Sequence, residues 1–178
     1  MDEPRSTLLS QATGFKGRIF TVTSDRVTLP NGRTVTMEVV RHPGSVVLLP
    51  MQDDQHVVLI RQYRYALDRW IWELPAGSLE LGENPVAAAA RECEEEIGLV
   101  PAAVEFAGSW YPTPGFCTEA MSYYRLSGLR APDPNGLQAE KDPDEDIRVC
   151  VFAVHEARAL VTRGEIIDLK TAWGLTLI

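Results

Sequence analysis

The sequence predicts an α+β domain in which strands predominate. Most segments of the 178-residue chain are rich in β-branched residues and are bounded by turn residues, as strands are. Only a few segments carry a helical pattern, and they do not alternate regularly with the strands. A chain without regular strand–helix alternation is expected to form a mixed α+β fold rather than a doubly wound parallel sheet.

Composition narrows the class of function. A length of 178 residues suits one domain with a substantial core, and the formal net charge of -8 argues against broad binding of nucleic acid. The three cysteines form no CxxC pair, which is typical of reduced thiols in the cytosol. We find neither a signal peptide at the start of the chain nor an apolar run of transmembrane length. The sequence therefore predicts a cytoplasmic protein that binds neither nucleic acid nor membranes.

The first elements form a β meander. The segments RIFTVTSDRVTL and RTVTMEVVRH are predicted strands, and Leu29–Gly32 (LPNG) supplies the turn between them. We assign residues 1–42 to this meander and residues 43–178 to a second, larger domain. SVVLLPM and HVVLIRQYR follow as two strands separated by the polar turn QDDQ, and WIWELPAG is a short strand that breaks at Pro75.

A helix is predicted from about Pro85 to Ile97. Asn84 can cap its start, proline suits the first helical position, and Gly98 is a typical C-terminal stop. One stripe of this helix is apolar and is expected to face the core. The stripe consists of Val86, Ala90, Cys93 and Ile97.

Strands predominate again after this helix. VEFAGSWYP, MSYYRLSGL and IRVCVFAVH are strand-like, and a long acidic loop over residues 130–146 precedes the last of them. The tail from His155 to Ile178 is predicted to be helical, in two pieces that divide near Gly164.

The glutamates of the predicted helix indicate a metal site. Glu92, Glu95 and Glu96 lie within roughly 100° of one another, near the end of the helix where negative charge opposes the helix dipole. Like charges four residues apart also destabilise a helix unless something neutralises them. Mg²⁺ binds carboxylate oxygens and retains positions for water and substrate phosphates. The pattern therefore predicts a divalent cation facing a phosphate-bearing ligand, with Arg91 orienting a glutamate.

The same segment resembles the Nudix box, G-x5-E-x7-R-E-U-x-E-E-x-G-U, where U is aliphatic. Cys93 stands at the first U position, where it is expected to pack as a small hydrophobe. The matching positions are Gly77, Glu83, Arg91, Glu92, Glu95, Glu96, Gly98 and Leu99. The resemblance implies a Nudix fold, in which helices sandwich a mixed β-sheet, and it makes residues 43–178 the Nudix hydrolase domain.

Nearly the whole chain resembles the ADP-ribose pyrophosphatase branch of that family, through stretches such as RQYR, IWELPAG and YPTPG. The resemblance implies Mg²⁺-dependent hydrolysis of ADP-ribose to AMP and ribose 5-phosphate, with Mn²⁺ as a second candidate ion. One alternative is a hydrolase of another nucleoside diphosphate sugar, such as GDP-mannose. Another is a nucleotide sensor that does not cleave its ligand, although such domains usually lose glutamates that this chain keeps.

The resemblance also assigns roles to individual residues. The metal ligands are expected to be Glu92 and Glu96, with further oxygens from Glu95, Glu145 and the backbone carbonyl of Ala76. Glu83 and Arg91 are expected to brace the loop and the helix. The general base is left open among Glu145, Asp142, Asp144 and Glu95. The substrate-binding candidates are Arg61, Arg64, Pro114 and Gly115.

Two further expectations concern the substrate's base and the partner. Several aromatic residues could stack on adenine, although core packing explains any one of them better. These residues are Phe15, Phe20, Trp70, Trp72, Trp110 and Tyr111. The N-terminal strands of this branch commonly pack on a second subunit, so the resemblance implies a homodimer.

Overall fold

The computed structural model describes residues 3–134 and 146–178. Within them it has ten strands and three α-helices, which confirms the predicted α+β class. The strands are β1 (Thr7–Lys16), β2 (Thr21–Thr28), β3 (Thr34–Arg41), β4 (Ser45–Asp53), β5 (His56–Arg64), β6 (Arg69–Glu73), β7 (Ala76–Ser78), β8 (Ala103–Trp110), β9 (Met121–Ser127) and β10 (Ile147–Ala153). The helices are α1 (Pro85–Ile97), α2 (Val154–Thr162) and α3 (Leu169–Gly174). A 3-10 turn, Tyr65–Leu67, follows β5.

The chain divides into two compact units, and residues 1–44 together with 111–120 form the first of them. Its sheet is an antiparallel meander in the order β1-β2-β3, as predicted, and Gly32 adopts a φ of 81° in the turn before β3. Our sequence prediction missed β1, because its apolar residues do not alternate regularly with its polar ones. Residues 111–120 join this unit through two backbone hydrogen bonds with Val40. The Val40 N–H donates to the Phe116 oxygen at 2.8 Å, and the Thr118 N–H donates to the Val40 oxygen at 2.9 Å.

Residues 45–110 and 121–178 form the second unit, which is built on a seven-stranded mixed sheet. Its main path runs β10-β5-β4-β9-β8, with β6 paired to β5 and β7 paired to β4. The β4–β9 pair is parallel and the other pairs are antiparallel.

The sheet of the second unit lies between helices, as predicted. Because successive side chains of a strand point to opposite faces, β4 contributes to two cores. Val46 and Leu48 pack with Ala88 and Cys93 of α1 in one cluster. Val47 and Leu49 pack in the other cluster, whose helical members include Ala157 of α2. At least four β4 side chains are fully buried, which explains why SVVLLPM is a continuous apolar run.

Helix α1 has the predicted bounds. The Asn84 side chain accepts a hydrogen bond from the N–H of Val86 at 2.9 Å, and Gly98 ends the helix with a φ of 71°. The predicted apolar stripe was wrong at Val86, which is 46% exposed. The buried face instead runs through Ala88 and Ala89, whose small side chains let the helix approach the sheet closely. This rotation turns part of the acidic face inward.

The C-terminal tail forms two helices, and Gly164, with a φ of 72°, lies between them. The side chain of Asp168 caps α3 by accepting a hydrogen bond from the Thr171 N–H at 3.0 Å. Within the described residues, no helix has both the length and the apolar character needed to cross a membrane.

Candidate metal and phosphate site

Two glutamates of α1 are buried where the helix packs on β7. Glu92 is 9% exposed and Glu96 is 4% exposed, although carboxylates are rarely buried without partners. An oxygen of Glu96 accepts a hydrogen bond from the backbone N–H of Ala76 at 3.0 Å. The predicted ligands Glu96 and Ala76, which are 20 positions apart in sequence, are therefore neighbours.

Gly77 makes room for the second buried carboxylate. A Cβ built on Gly77 would overlap the carboxylate of Glu92. Gly77 pairs with Val46 of β4, so the sheet fixes its backbone and any adjustment falls on the glutamate. Glycine at this position therefore reflects the close approach of Glu92, because the backbone itself is ordinary strand.

Arg91 organises the remaining acids. Its Nε and one terminal nitrogen donate to the two oxygens of Glu83, at 2.9 and 3.1 Å. Its other terminal nitrogen donates to Glu92 at 2.8 Å and to Glu95 at 2.6 Å. Glu83 also accepts from the Glu80 N–H at 3.0 Å, which fastens the loop before α1 to the same guanidinium. The guanidinium has five donors, so it can bind three carboxylates at once.

The charges within this cluster reinforce one another. The hydrogen bond from Arg91 holds the pKa of Glu83 below its usual value. In turn the bond to Glu83, with the charges of Glu92 and Glu95, raises the pKa of Arg91. Three carboxylates surround one guanidinium, so these four groups together remain negatively charged.

The donor set fits a hard divalent cation. Carboxylate oxygens are the ligands that Mg²⁺ and Mn²⁺ prefer, and Glu92 and Glu96 present theirs one helical turn apart on a buried face. In the conformation described here, no three acidic, histidine or cysteine side chains of residues 3–134 and 146–178 already form a metal-binding arrangement. Glu92 and Glu95 turn oxygens toward Arg91 instead.

The two candidate phosphate-binding arginines lie on opposite faces of β5. Arg61 pairs across the ladder with Trp72, and its guanidinium lies 5.5 Å from the centre of that ring. Arg64 lies three residues further along the strand and reaches Glu73 with two nitrogens, at 2.6 and 2.8 Å. The pleat therefore separates two arginines that the sequence placed together.

Sequence reasoning missed the charges behind Arg64. Glu73 is 1% exposed and Lys170 of α3 is 9% exposed, and the lysine ammonium binds the Glu73 carboxylate. Asp168 binds the same ammonium at 2.9 Å. Glu73 is a single acid within WIWELPAG, so a lone charge inside an apolar run was the signal that could have found it.

Pro114 and Gly115 belong to the first unit. They line a cavity of about 380 Å³ together with residues of β2 and β3, including Asp25 and Arg41. Asp25 is buried, accepts a hydrogen bond from Gln11 at 2.9 Å and forms an ion pair with Arg41. The cavity is therefore lined by both apolar side chains and a charged pair.

Residues 135–145 of the acidic loop lie outside the described residues. Glu145, the first candidate for the general base, falls there, and so do the alternatives Asp142 and Asp144. Of the named acids, the structure describes Glu95, whose side chain is 22% exposed.

The aromatic candidates divide into packed and exposed rings. Trp72 packs edge-on against Phe152, and Trp110 packs edge-on against Tyr123 and Trp173. Tyr111 is 61% exposed, and Phe15 and Phe20 lie on the meander with exposed rings.

Comparison with known proteins gives concordant results. The model of the NUDIX domain matches residues 40–171. The chain is 34% identical over 161 residues to an ADP-ribose pyrophosphatase of Bacillus subtilis, covering 90% of this chain and 85% of that protein. It is 36% identical over 171 residues to an ADP-ribose pyrophosphatase of Mycobacterium tuberculosis, covering 96% and 81%.

Two further matches bear on fold and on function. A methanol dehydrogenase activator of Bacillus methanolicus is 37% identical over 158 residues, covering 88% of this chain and 83% of that protein. The crystal structure of an ADP compounds hydrolase superposes with a TM-score of 0.82 at 21% identity, covering 99% of this chain and 94% of that one. The superposition shows a shared fold.

Proposed function

The chain belongs to the Nudix family, and from that premise we propose that it hydrolyses the diphosphate of ADP-ribose to AMP and ribose 5-phosphate. The observation that carries this proposal is the buried pair Glu92 and Glu96 on α1, held beside β7 with Arg91 bridging the neighbouring acids. Such a cluster suits a divalent cation, and relatives at 34% and 36% identity are named ADP-ribose pyrophosphatases.

Each residue has a part in the proposed reaction. Glu92 and Glu96 would hold Mg²⁺, or Mn²⁺ in its place, with further oxygens from Glu95, Glu145 and the Ala76 carbonyl. When bound, such an ion screens the diphosphate charge and makes water a better nucleophile. The water oxygen attacks one phosphorus, the bridging P–O bond breaks with the other phosphate as leaving group, and a carboxylate of the protein takes the proton of the water. Arg91 keeps the carboxylates oriented throughout.

The proton acceptor is proposed to be Glu145, with Glu95 as the alternative. One oxygen of Glu95 already accepts a hydrogen bond from Arg91 at 2.6 Å, so that oxygen is less available to a water proton. We expect Glu145→Gln to lower kcat with little change in KM. If that variant is silent, the acceptor lies elsewhere and Glu95 becomes the next candidate.

Substrate contacts are proposed for Arg61, Arg64, Pro114 and Gly115. An arginine fork suits phosphate oxygens, and Arg64 already presents such a fork to a carboxylate. One relative is named a methanol dehydrogenase activator rather than a pyrophosphatase, so the substrate is tested directly.

Product analysis tests the proposed reaction. The protein is incubated with ADP-ribose and with GDP-mannose, each with Mg²⁺ and with EDTA, and release of AMP and GMP is followed. We expect metal-dependent AMP release that is much faster than GMP release. Faster GMP release would move the protein to another nucleotide-sugar specificity. Tight binding of ADP-ribose without either product would instead identify a sensor.

We further propose that the 1–42 meander forms a homodimer. Strand β1 is exposed along all ten residues, and Leu8 and Leu9 are 54% and 53% exposed. Exposed apolar edge strands favour pairing with another chain. Light scattering at several concentrations should give the mass of two chains, and Leu9→Lys should shift it toward one. A monomeric parent protein would contradict this proposal.

Two further proposals are that the protein binds no nucleic acid and that it is located in the cytoplasm. The net charge of -8 supports the absence of nucleic-acid partners, and the three free cysteines support a reducing compartment such as the cytoplasm. A mobility-shift assay with nucleic acid at low salt tests this prediction, and we expect no shifted band.

A further inference from the structure

We propose that Lys170, acting through Glu73, positions Arg64 for the phosphates of the substrate. This inference rests on the proposed function and adds two residues to it, one from β6 and one from α3. It follows from the contacts, burial and charge of these side chains.

Glu73 fixes the plane of the Arg64 guanidinium. The Nε of Arg64 donates to one carboxylate oxygen at 2.6 Å, and a terminal nitrogen donates to the other at 2.8 Å. Two parallel bonds leave the fork little rotational freedom. The Arg64 side chain is 39% exposed whereas that of Glu73 is 2% exposed, so the pair connects the interior with solvent.

Lys170 in turn fixes Glu73. Its side chain is 8% exposed, and its ammonium binds the carboxylate oxygen that Arg64 also binds. Asp168, the N-cap of α3, holds the ammonium at 2.9 Å. The order of contacts is therefore α3, Lys170, Glu73, Arg64.

The charges explain why the arginine needs this support. A buried carboxylate requires a counter-charge. If Arg64 were the main partner of Glu73, its positive charge would be largely neutralised by that carboxylate. Lys170 shares that task. Arg64 is then held in a fixed orientation, and a substrate phosphate can bind it while Lys170 still neutralises Glu73.

A purely structural role for Lys170 is the competing explanation. Buried ion pairs often contribute little to stability compared with apolar residues of the same size. A structural role would change the unfolding temperature and would weaken ligand binding whether or not Arg64 is present. A positioning role predicts an effect on binding that depends on Arg64.

A double-mutant cycle between Lys170→Met and Arg64→Ala separates these explanations. The readouts are the Kd for ADP-ribose in EDTA, which needs no turnover, and kcat and KM in Mg²⁺. We expect Lys170→Met to raise the Kd about five- to tenfold in the parent protein and less than about twofold in the Arg64→Ala background. KM should rise in parallel, with a smaller change in kcat. Lys170→Arg should restore most of the affinity.

The matched control is Arg163→Met, which removes the exposed ion pair between Arg163 and Glu165 from the same C-terminal region. It should leave the Kd unchanged. If Lys170→Met proves unfolded, Glu73→Gln replaces it in the cycle. An equal loss of affinity in both backgrounds, or no loss in the parent, overturns the inference. Failure of the proposed function is seen separately, as a parent protein that releases no AMP from ADP-ribose.

Discussion

The carboxylate of Glu92 lies so close to the Cα of Gly77 that a methyl group on the glycine would overlap it. Glu92 is on helix α1 and Gly77 is on strand β7, so this contact sets how the acidic face of the helix meets the sheet. The same carboxylate accepts a hydrogen bond from Arg91 at 2.8 Å. Its position is therefore determined from two sides.

Gly77→Ala should displace the carboxylate of Glu92 and weaken the metal site. The backbone of Gly77 is held by its pairing with Val46, so the glutamate has to move. We expect the Mg²⁺ concentration for half-maximal activity to rise about tenfold or more, with partial recovery at high Mg²⁺. Activity titrated against Mg²⁺ measures this effect.

The control for that variant is Gly14→Ala on strand β1. A Cβ at Gly14 would meet its nearest atom, the Val22 oxygen, at an ordinary 3.7 Å. This change should leave the Mg²⁺ dependence unaltered. An unaltered titration for Gly77→Ala as well would show that the position of Glu92 does not matter for the metal.

Glu96→Gln should nearly abolish activity while the fold persists. In the parent protein Glu96 accepts a hydrogen bond from the Ala76 N–H at 3.0 Å, and the oxygen of a glutamine can still accept it. The charged metal ligand, however, is lost. We expect kcat to fall at least about a hundredfold, with an unchanged or higher Tm because charge crowding is relieved. Glu94→Gln on the same helix serves as the control, and full activity in Glu96→Gln would refute the metal assignment.

Glu73 should make the protein sensitive to acid. Burial raises the pKa of Glu73, but the hydrogen bonds from Arg64 and the charge of Lys170 outweigh that effect, so the pKa lies below its ordinary value of 4.5. The resulting stabilisation is fully present above the unfolded-state pKa, and it is lost as the pH falls through the lower pKa of the folded state. The difference in unfolding free energy between the parent protein and Glu73→Gln should therefore narrow as the pH falls below about 4.5.

Urea unfolding at a series of pH values measures that difference. Glu165→Gln is the control, because Glu165 and its partner Arg163 are both 55% exposed. This variant should track the parent protein at every pH. A difference for Glu73→Gln that stays constant with pH would mean that the carboxylate is not held as the structure describes.

The cysteines should differ sharply in reactivity. Burial, with the charges of Glu94 and Glu96, raises the pKa of Cys93 to about 12, whereas Cys150 is exposed. At pH 8 only on the order of 10⁻⁴ of Cys93 would be thiolate, which is the reactive form. Iodoacetamide should therefore label Cys150 in the native protein and Cys93 only after unfolding, as read by peptide mass spectrometry. Rapid labelling of native Cys93 would contradict its burial.

Local sequence determined much of the fold. Asn84, Pro85 and Gly98 set the bounds of α1, because capping and a left-handed C-terminal residue act within one turn. The apolar run SVVLLPM indicated the strand β4, which the structure buries on both faces. Strand β1 gave no such signal, because it is exposed along its length and its order comes from pairing with β2.

The composition of the acidic site was also present in the sequence, since the spacing of glutamates and of Arg91 on one helix is a local property. Only the tertiary structure decided which helix face is buried, because that depends on the small residues Ala88 and Ala89 meeting the sheet. It alone brought Lys170 to Glu73 across 97 positions. Charge pairs between distant segments leave no periodicity in the sequence, so the packing of the chain determines them.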